Sequence, residues 1–406
     1  MTAIERCLEL ARFSETPTGI TRTFLSPPMR DVHRKLREWM EPLGMRVWID
    51  DAGNLHGLYP GKTGRRLIIG SHVDTVPDAG AYDGVLGVTL AISLLEALKG
   101  GTLSYSVEIV AFSEEEGVRF GVPFIGSRAL IGALDESFLN TKDKQGFTIK
   151  EAIRGFGLEP SEIPLAAIDV DGTIGYLEFH IEQGPVLESL NLPLGLVKAI
   201  NGQSRHDLVF QGQTNHAGTT PMHLRRDALA AAAEWIVEVE RTGRLEPGLV
   251  ATVGSIAVSP GAGNVIPGEA RLTLDVRHSD DAIRLAATAK LLKAAHLIAA
   301  RRAITVITSD LLNQPAVPCN GNLIRILENS LRKKGHGIHK MGSGAGHDAM
   351  ILAQWIPIAM LFLRSPGGIS HHPDERVLPQ DVDAAIIVGC QFLLELENEL
   401  LSPVRK

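Results

Sequence analysis

Gly70-Ser71-His72-Val73-Asp74-Thr75, followed by Tyr82-Asp83-Gly84, is the stretch on which the reading of this chain turns. The run before it, Arg66-Leu67-Ile68-Ile69-Gly70, is a short aliphatic block, and residues 84–99 carry apolar side chains at helical spacing. His72, Asp74 and Asp83 therefore fall on a strand-loop-helix turn, where open α/β sheets gather their chemistry. A histidine and a carboxylate at the end of a buried strand, with a second carboxylate a short loop later, have the layout of a metal site.

The chain has 406 residues, too many for one ordinary core, and two or three domains are expected. Its 44% hydrophobic and 21% charged content is that of a globular protein, and the net charge of −7 gives no reason to expect nucleic acid or an anionic membrane as partner. Residues 1–13 include Glu5 and Glu9 among apolar positions, which reads as an amphipathic helix and not a signal peptide. The longest apolar stretches, 85–95 and 356–363, are too short to span a bilayer. Cys7, Cys319 and Cys390 are odd in number and far apart, so no disulfide framework or cysteine zinc site is expected, and the cytoplasm is the natural compartment.

The periodicities predict a helix over 29–43, strands over 45–50, 54–59 and 66–70, a helix over 84–99 and a strand over 105–112. Such alternation argues for an α/β fold with a mixed, mostly parallel sheet covered by helices. Residues 117–171 are less regular, and 175–180 resume a strand. Beyond Gly195 the texture changes: strand 205–211, loop 213–222, helix 227–241 with Asp227 as N-cap, strands 249–258 and 269–277, helix 280–301 and strand 303–308. This β-α-β-β-α-β order is the ferredoxin-like arrangement. After Pro315 the first texture returns, with helix 321–334, the loop Gly342-Ser343-Gly344-Ala345-Gly346-His347-Asp348, strand 356–363 and a helix from about Pro379. The expected organisation is a discontinuous catalytic domain, 1–201 and 315–406, interrupted by an inserted ferredoxin-like α+β domain at 202–314.

A second acidic cluster, Ser113-Glu114-Glu115-Glu116-Gly117, comes after strand 105–112. Consecutive carboxylates at the end of an apolar strand are costly without a cation; the alternative is a solvated loop that turns its charges outward. His180, in His180-Ile181-Glu182-Gln183-Gly184-Pro185, and His371, in Ser370-His371-His372-Pro373, each come after a predicted segment of the same domain. Alone, either could be an ordinary polar histidine. Taken with His72, Asp83 and the Glu triplet, they give three imidazoles and two carboxylates, a set that suits a pair of divalent ions such as zinc or manganese. Asp74 fits a supporting position, orienting the His72 imidazole through its free N–H, or else a simple strand-end cap.

At this point the chain resembles the M20 family of dinuclear metallohydrolases, through His72-Val73-Asp74, Asp83-Gly84, Glu115-Glu116-Gly117, His180 and Ser370-His371. More narrowly, residues 112–120, His180 to Pro185, Asn215-His216-Ala217-Gly218, Asn264-Val265-Ile266-Pro267-Gly268 and Gly344-Ala345-Gly346-His347-Asp348-Ala349 resemble its hydantoinase/carbamoylase branch. The likeness runs in consistent order from about residue 15 to 390.

The resemblance implies two divalent metal ions per subunit, Mn2+ or Zn2+, with Asp83 bridging, His72 and His371 on opposite sides, and Glu116 and His180 completing the set. Glu115 would be the catalytic base, with Asp74 supporting; a register shifted by one would pass these roles to Glu114 and Glu115. His216 matches a family histidine that reaches the tetrahedral centre, often across a dimer interface. Arg277 matches an arginine that grips a carboxylate as a fork, although by itself it reads better as a surface ion pair. Asn264 matches a substrate donor, and Gln183, Gly344, Ala345 and His347 are expected to line the pocket, where tight-turn architecture is the competing reason for the glycines. A homodimer through the inserted domain, acting as lid and dimerisation domain, is implied.

Within the branch, Leu25-Ser26-Pro27-Pro28-Met29-Arg30, residues 48–57 and Glu116-Gly117-Val118-Arg119-Phe120 are most similar to allantoate amidohydrolases. That implies a small ureide carboxylate as substrate and conversion of allantoate to ureidoglycine, ammonia and carbon dioxide. N-carbamoyl-L-amino-acid hydrolysis, β-ureidopropionase activity, an aminoacylase or dipeptidase, and an inactive binding relative stand as alternatives.

Overall fold

Helices and strands track the apolar periodicity of the chain in the computed structural model, which describes residues 1–401. In chain order they are α1 (Ala3–Leu10), α2 (Pro27–Met40), β1 (Arg46–Ile49), β2 (Leu55–Tyr59), β3 (Arg66–His72), α3 (Val85–Ala97), β4 (Ser106–Phe112), β5 (Thr173–Ile181), β6 (Leu194–Ile200), β7 (Gly202–Gln211), α4 (Ala228–Leu245), β8 (Val250–Ser259), β9 (Glu269–His278), α5 (Asp281–Arg301), β10 (Thr305–Gln314), α6 (Gly321–Lys333), β11 (Ile358–Leu363) and α7 (Pro379–Leu401). Shorter helices and strands of two to four residues lie between them. No helix among the described residues is long and apolar enough to cross a membrane.

The chain divides into two compact units. One comprises Met1–Lys198, Cys319–Met341 and the chain from Gly346 onward; the other comprises Ala199–Pro318 and the short segment Gly342–Ala345. The glycine-rich loop is thus split, with Gly344 and Ala345 in the smaller unit and His347 in the larger.

In the larger unit the sheet path runs β1-β2-β4-β3-β5-β11-β6. The pairs β4–β3, β3–β5 and β5–β11 are parallel, and the flanking pairs β1–β2, β2–β4 and β11–β6 are antiparallel. This is the α/β fold with a mixed sheet that alternation predicts. Parallel strands are covered on both faces, and β3, β4 and β11 accordingly read as nearly unbroken buried runs. Helix α3 has no solvated face: every residue from Val85 to Leu95 is buried, as a helix that is apolar all round requires. It packs on β3 and β5 and is itself covered by α1 and α7.

Register brings the chemistry to one end of the sheet. His72, the last residue of β3, lies opposite Phe112, the last residue of β4, so that Ser113 to Glu116 emerge beside it. On the other side β3 pairs with β5, which carries His180 one residue before its end. Three neighbouring parallel strands therefore deliver His72, the Glu triplet and His180 to their carboxyl ends.

In the smaller unit four antiparallel strands run in the order β10-β7-β9-β8. Leu208, Phe210, Leu272 and Leu274 of the sheet pack with Trp235 and Val239 of α4 and Leu291 and Ile298 of α5. Asp227 caps α4 by accepting from the Ala230 N–H, and the Trp235 indole N–H donates to the Leu291 carbonyl at 2.9 Å. Strand β10 continues to Gln314, beyond the 303–308 that alternation predicts, because it is an edge strand whose register shifts between Asp310 and Leu312 and whose side chains are largely exposed.

Candidate metal centre

His72, Asp83, Glu115, Glu116, His180 and His371 converge in the larger unit. Their ligand atoms form three groups, each within 4.8 Å: His72 with Asp83 and His180, Asp83 with Glu116 and His371, and His72 with Glu115 and Glu116. Asp83 belongs to the first two and divides its oxygens between them. Its Oδ1 stands 3.3 Å from His180 Nε2 and 4.0 Å from His72 Nε2, while its Oδ2 stands 3.1 Å from His371 Nε2. His371 Nε2 is in turn 3.6 Å from Glu116 Oε1.

The two strand-end histidines are oriented alike. His72 Nδ1 lies 3.0 Å from the Asp74 carbonyl and His180 Nδ1 lies 2.9 Å from the Ile181 carbonyl. A carbonyl only accepts, so each Nδ1 carries a proton and each Nε2, turned toward Asp83, is the nitrogen that could bind a cation. The loop that brings Asp83 in needs glycine next to it: Gly84 has φ +67°, and a Cβ there would lie 2.4 Å from the ring atoms of His72.

Asp74 acts differently from the expectation. Its carboxylate accepts from the backbone N–H groups of Glu115, at 3.0 Å, and Glu116, at 3.1 Å. The His72 ring is nearer to the Asp74 carbonyl than to its carboxylate, whose Oδ1 is 3.5 Å from Nδ1. The side chain thus fixes the loop after β4 to the loop after β3, and the histidine is oriented mainly by the main chain.

The Glu triplet is not a solvated loop: Glu114 is 0% exposed, Glu115 8%, and Glu116 has a side chain 10% exposed. Burial raises all three carboxyls. Glu114 and Glu115 rise well above the ordinary range, with Asp74 and Glu116 adding to the effect, and Glu116 is pushed up to about 7, His72 opposing the rise. Burial also works to raise Asp83, but the bond to His371 and the fields of His180 and His72 outweigh it and leave this carboxyl below its usual range. His371 is raised by its hydrogen bond to Asp83, whereas burial lowers His180. Glu114 appears in none of the donor groups among the described residues, which supports Glu115 and Glu116, not Glu114 and Glu115, as the working pair.

This donor set fits divalent cations. Imidazole nitrogens with free lone pairs and carboxylate oxygens are ligands for zinc and manganese, and a cation would relieve the mutual repulsion of Asp74, Asp83, Glu115 and Glu116 in a buried site.

Two residues expected to line the pocket make contacts with the candidate ligands. Gln183, at φ +59°, turns its Nε2 onto Asp83, 3.1 Å from Oδ1 and 3.0 Å from Oδ2. His347 is 1% exposed, its ring 4.6 Å from that of His180, and with Glu178 and His180 it forms a further donor group. Being buried, it backs a ligand and does not line an open pocket.

In the smaller unit, the loop bearing His216 pairs with the one bearing Asn264. Val265 lies opposite His216 and Ile266 opposite Asn215, and the Asn264 carbonyl accepts from the Ala217 N–H. His216 Nδ1 accepts from the N–H groups of Gly218, at 3.0 Å, and Thr219, at 3.2 Å, which leaves Nε2–H as an exposed donor. Arg277 gives Nε and Nη2 to the two oxygens of Asp275, its neighbour on the same face of β9, and Nη1 to the Gly344 carbonyl. The ion-pair alternative is therefore realised, yet of about five guanidinium N–H groups two remain, one on each terminal nitrogen. Ala345 donates its N–H to Ser343 Oγ.

Sequence reasoning missed Glu375, Glu178 and Asp348. Asp348 stands in the quoted glycine-rich loop, but the signal that singles out all three is burial, which a motif does not carry.

A model of the peptidase family M20/M25/M40 matches residues 68–395, a span that includes every residue converging at the centre. The chain belongs to the M20 family. An allantoate deiminase of Glycine max is 40% identical, the match covering 97% of this chain and 89% of that protein. An N-carbamoyl-L-amino acid amidohydrolase of Geobacillus stearothermophilus is 35% identical over 93% of each. Among solved structures, a hydantoinase/carbamoylase family amidase from Burkholderia ambifaria is similar with a TM-score of 0.90 at 32% identity, covering 97% of this chain and 96% of that one. As an M20 metallohydrolase the chain is a hydrolase of non-peptide C–N bonds, and its candidate ligand groups lie where the strands of the M20 fold end.

Proposed function

We propose that this chain hydrolyses a ureido C–N bond of a small ureide carboxylate, allantoate first among them, using two divalent cations, Mn2+ or Zn2+, in the cytoplasm. The observation that carries the reading is the sharing of Asp83 between two donor groups with Glu115 beside them. In this reading His72, Asp83 and His180 hold one cation, and Asp83, Glu116 and His371 the other. When bound, such a pair supplies Lewis acidity at the carbonyl and makes a water nucleophile available near neutral pH.

The chain's own groups do the rest. Glu115, buried and with its proton affinity raised, takes the proton of the attacking water on its carboxylate and returns it to the leaving nitrogen. Asp74 keeps Glu115 and Glu116 in register through their N–H groups. His216, with Nε2–H left to donate, is the candidate for the charge that develops on the carbonyl oxygen. The two remaining N–H groups of Arg277 match a carboxylate, Asp275 holding the guanidinium in place, and Asn264, Gly344 and Ala345 complete the substrate contacts. Gln183 and His347 act on Asp83 and His180.

Allantoate is favoured by identity to the plant deiminases; a second reading, N-carbamoyl-L-amino-acid hydrolysis, is favoured by the Geobacillus stearothermophilus relative at 35%. Ammonia and amine release from allantoate, N-carbamoyl amino acids and dipeptides, under defined Mn2+ and Zn2+, distinguishes them. Turnover of allantoate above the N-carbamoyl substrates is the expected result, and dipeptide turnover above both would overturn the assignment.

A further inference from the structure

Asp83 and His371 come from opposite ends of the chain, yet must stand a fixed distance apart if they share a cation. The Gln183 amide bonds to both Asp83 and Ser370, and a second, more deeply buried side chain grips the backbone on either side. Glu375 is 4% exposed, and its Oε1 accepts from the backbone N–H groups of Tyr82 and Asp83, each at 3.0 Å. Its Oε2 accepts from the Ser370 hydroxyl at 3.1 Å, and its own N–H donates to the His372 carbonyl at 3.0 Å. The same residue thus grips the segment that carries Asp83 and closes the turn that carries His371.

Two further observations show how closely this contact is built. His371 has φ +54°, a left-handed conformation that a non-glycine residue holds only when its surroundings impose it. At Gly80 an added Cβ would lie 2.3 Å from Glu375 Cβ and 2.5 Å from Oε1, so the loop before Asp83 has no side chain where the carboxylate enters. None of the three groups that donate to the carboxylate is a cation: two are peptide N–H groups and one is a hydroxyl. A buried carboxylate so placed is costly, and tying two chain segments together for packing alone would not require one.

We propose that Glu375 is a positioning residue that sets the placement of Asp83 against His371 and thereby governs the affinity of the cation those two residues share with Glu116; this rests on the two-cation reading above. Without it, the loop at Tyr82 to Asp83 and the turn at Ser370 to His371 would be held together by the Gln183 amide and the longer Ser370 Oγ–Asp83 Oδ2 contact at 3.4 Å. Outer partners of metal ligands contribute about 10- to 100-fold in metal affinity, and an effect of that order is expected here.

The test is calorimetric titration of the metal-free full chain with Mn2+ for the wild type, Glu375→Ala and Ser370→Ala, with thermal melting of each metal-free protein as a control for folding. The wild type is expected to take up two ions. Glu375→Ala should weaken one of them about 10- to 100-fold and leave the other unchanged, and Ser370→Ala should weaken the same ion by less. At saturating Mn2+, Glu375→Ala should recover its kcat with KM for the ureide unchanged, which removal of a group touching substrate would not allow. Wild-type affinity for both ions in Glu375→Ala overturns the proposal; if that variant does not fold, unchanged affinities in Ser370→Ala overturn it. Uptake of a single ion by the wild type contradicts the two-cation reading, and Glu375 is then judged by whether that ion is weakened.

Discussion

In the proposed reaction Glu115 and Glu116 are adjacent residues with divided tasks, and the division comes from what surrounds each carboxyl. Glu116 lies with Asp83 and His371 in one donor group, whereas Glu115 shares a group only with His72 and Glu116 and is more deeply raised by burial. Replacing Glu115 by Gln keeps the shape and removes the proton acceptor, so kcat should fall by about 10^2- to 10^4-fold with the metal-to-protein ratio unchanged. Steady-state kinetics with metal analysis checks this, and retained kcat would remove Glu115 from the mechanism. Asp74→Ala leaves two buried N–H groups without their acceptor; unfolding by denaturant should show a loss of about 1–3 kcal/mol per unsatisfied group at most, with weaker metal binding. Arg277→Lys cannot reproduce the fork, so KM for the ureide should rise about tenfold or more while kcat changes less. An unchanged KM would return Arg277 to a purely structural ion pair with Asp275.

At the scale of elements, the turn from β3 into α3 was legible because it combines a buried strand, a helix with no polar face and ligand-type residues between them. The strand ends are legible for the same reason: residues 105–112 and 175–180 are apolar runs, and each gives way to polar residues in a place that polar residues avoid. The candidate ligand residues could therefore be named from local pattern together with family resemblance. Direction is the property that the pattern does not carry. The carboxylate of Asp74 faces the Glu115 and Glu116 N–H groups, the amide of Gln183 faces Asp83, and His347 is buried behind His180, all consequences of side-chain placement between elements distant in the chain. Strand β6 and the far half of β10 were missed because one lies where the two units meet in sequence and the other is an exposed edge with a register shift. Edge strands also bear on assembly: β8 ends the smaller unit's sheet and exposes Val250 and Ile256. A homodimer through this unit predicts a two-chain sedimentation mass that charged substitutions at those two positions reduce; a fully active monomer would contradict it.

For the whole molecule, the buried carboxylates link stability to pH and to metal. Glu116 titrates at about 7 when folded, against an ordinary value of 4.5, so the metal-free protein holds this group's contribution below 4.5 and loses it as pH rises through about 7. Asp83 is shifted the other way, and its effect lies at lower pH. A divalent cation binds the ionised carboxylate, so the gap in melting temperature between Mn2+-loaded and metal-free protein should widen from about pH 5 to about pH 7. Differential scanning calorimetry reads this directly, and a gap that narrows over that range would contradict the account. Whether a pair of cations sharing Asp83 serves ureide hydrolysis is read from the rate of ammonia release from allantoate as Mn2+ is added to metal-free protein. The rate should rise from near zero and level off at two ions per chain. Full activity in the presence of a strong chelator, or no ammonia at saturating metal, would contradict it.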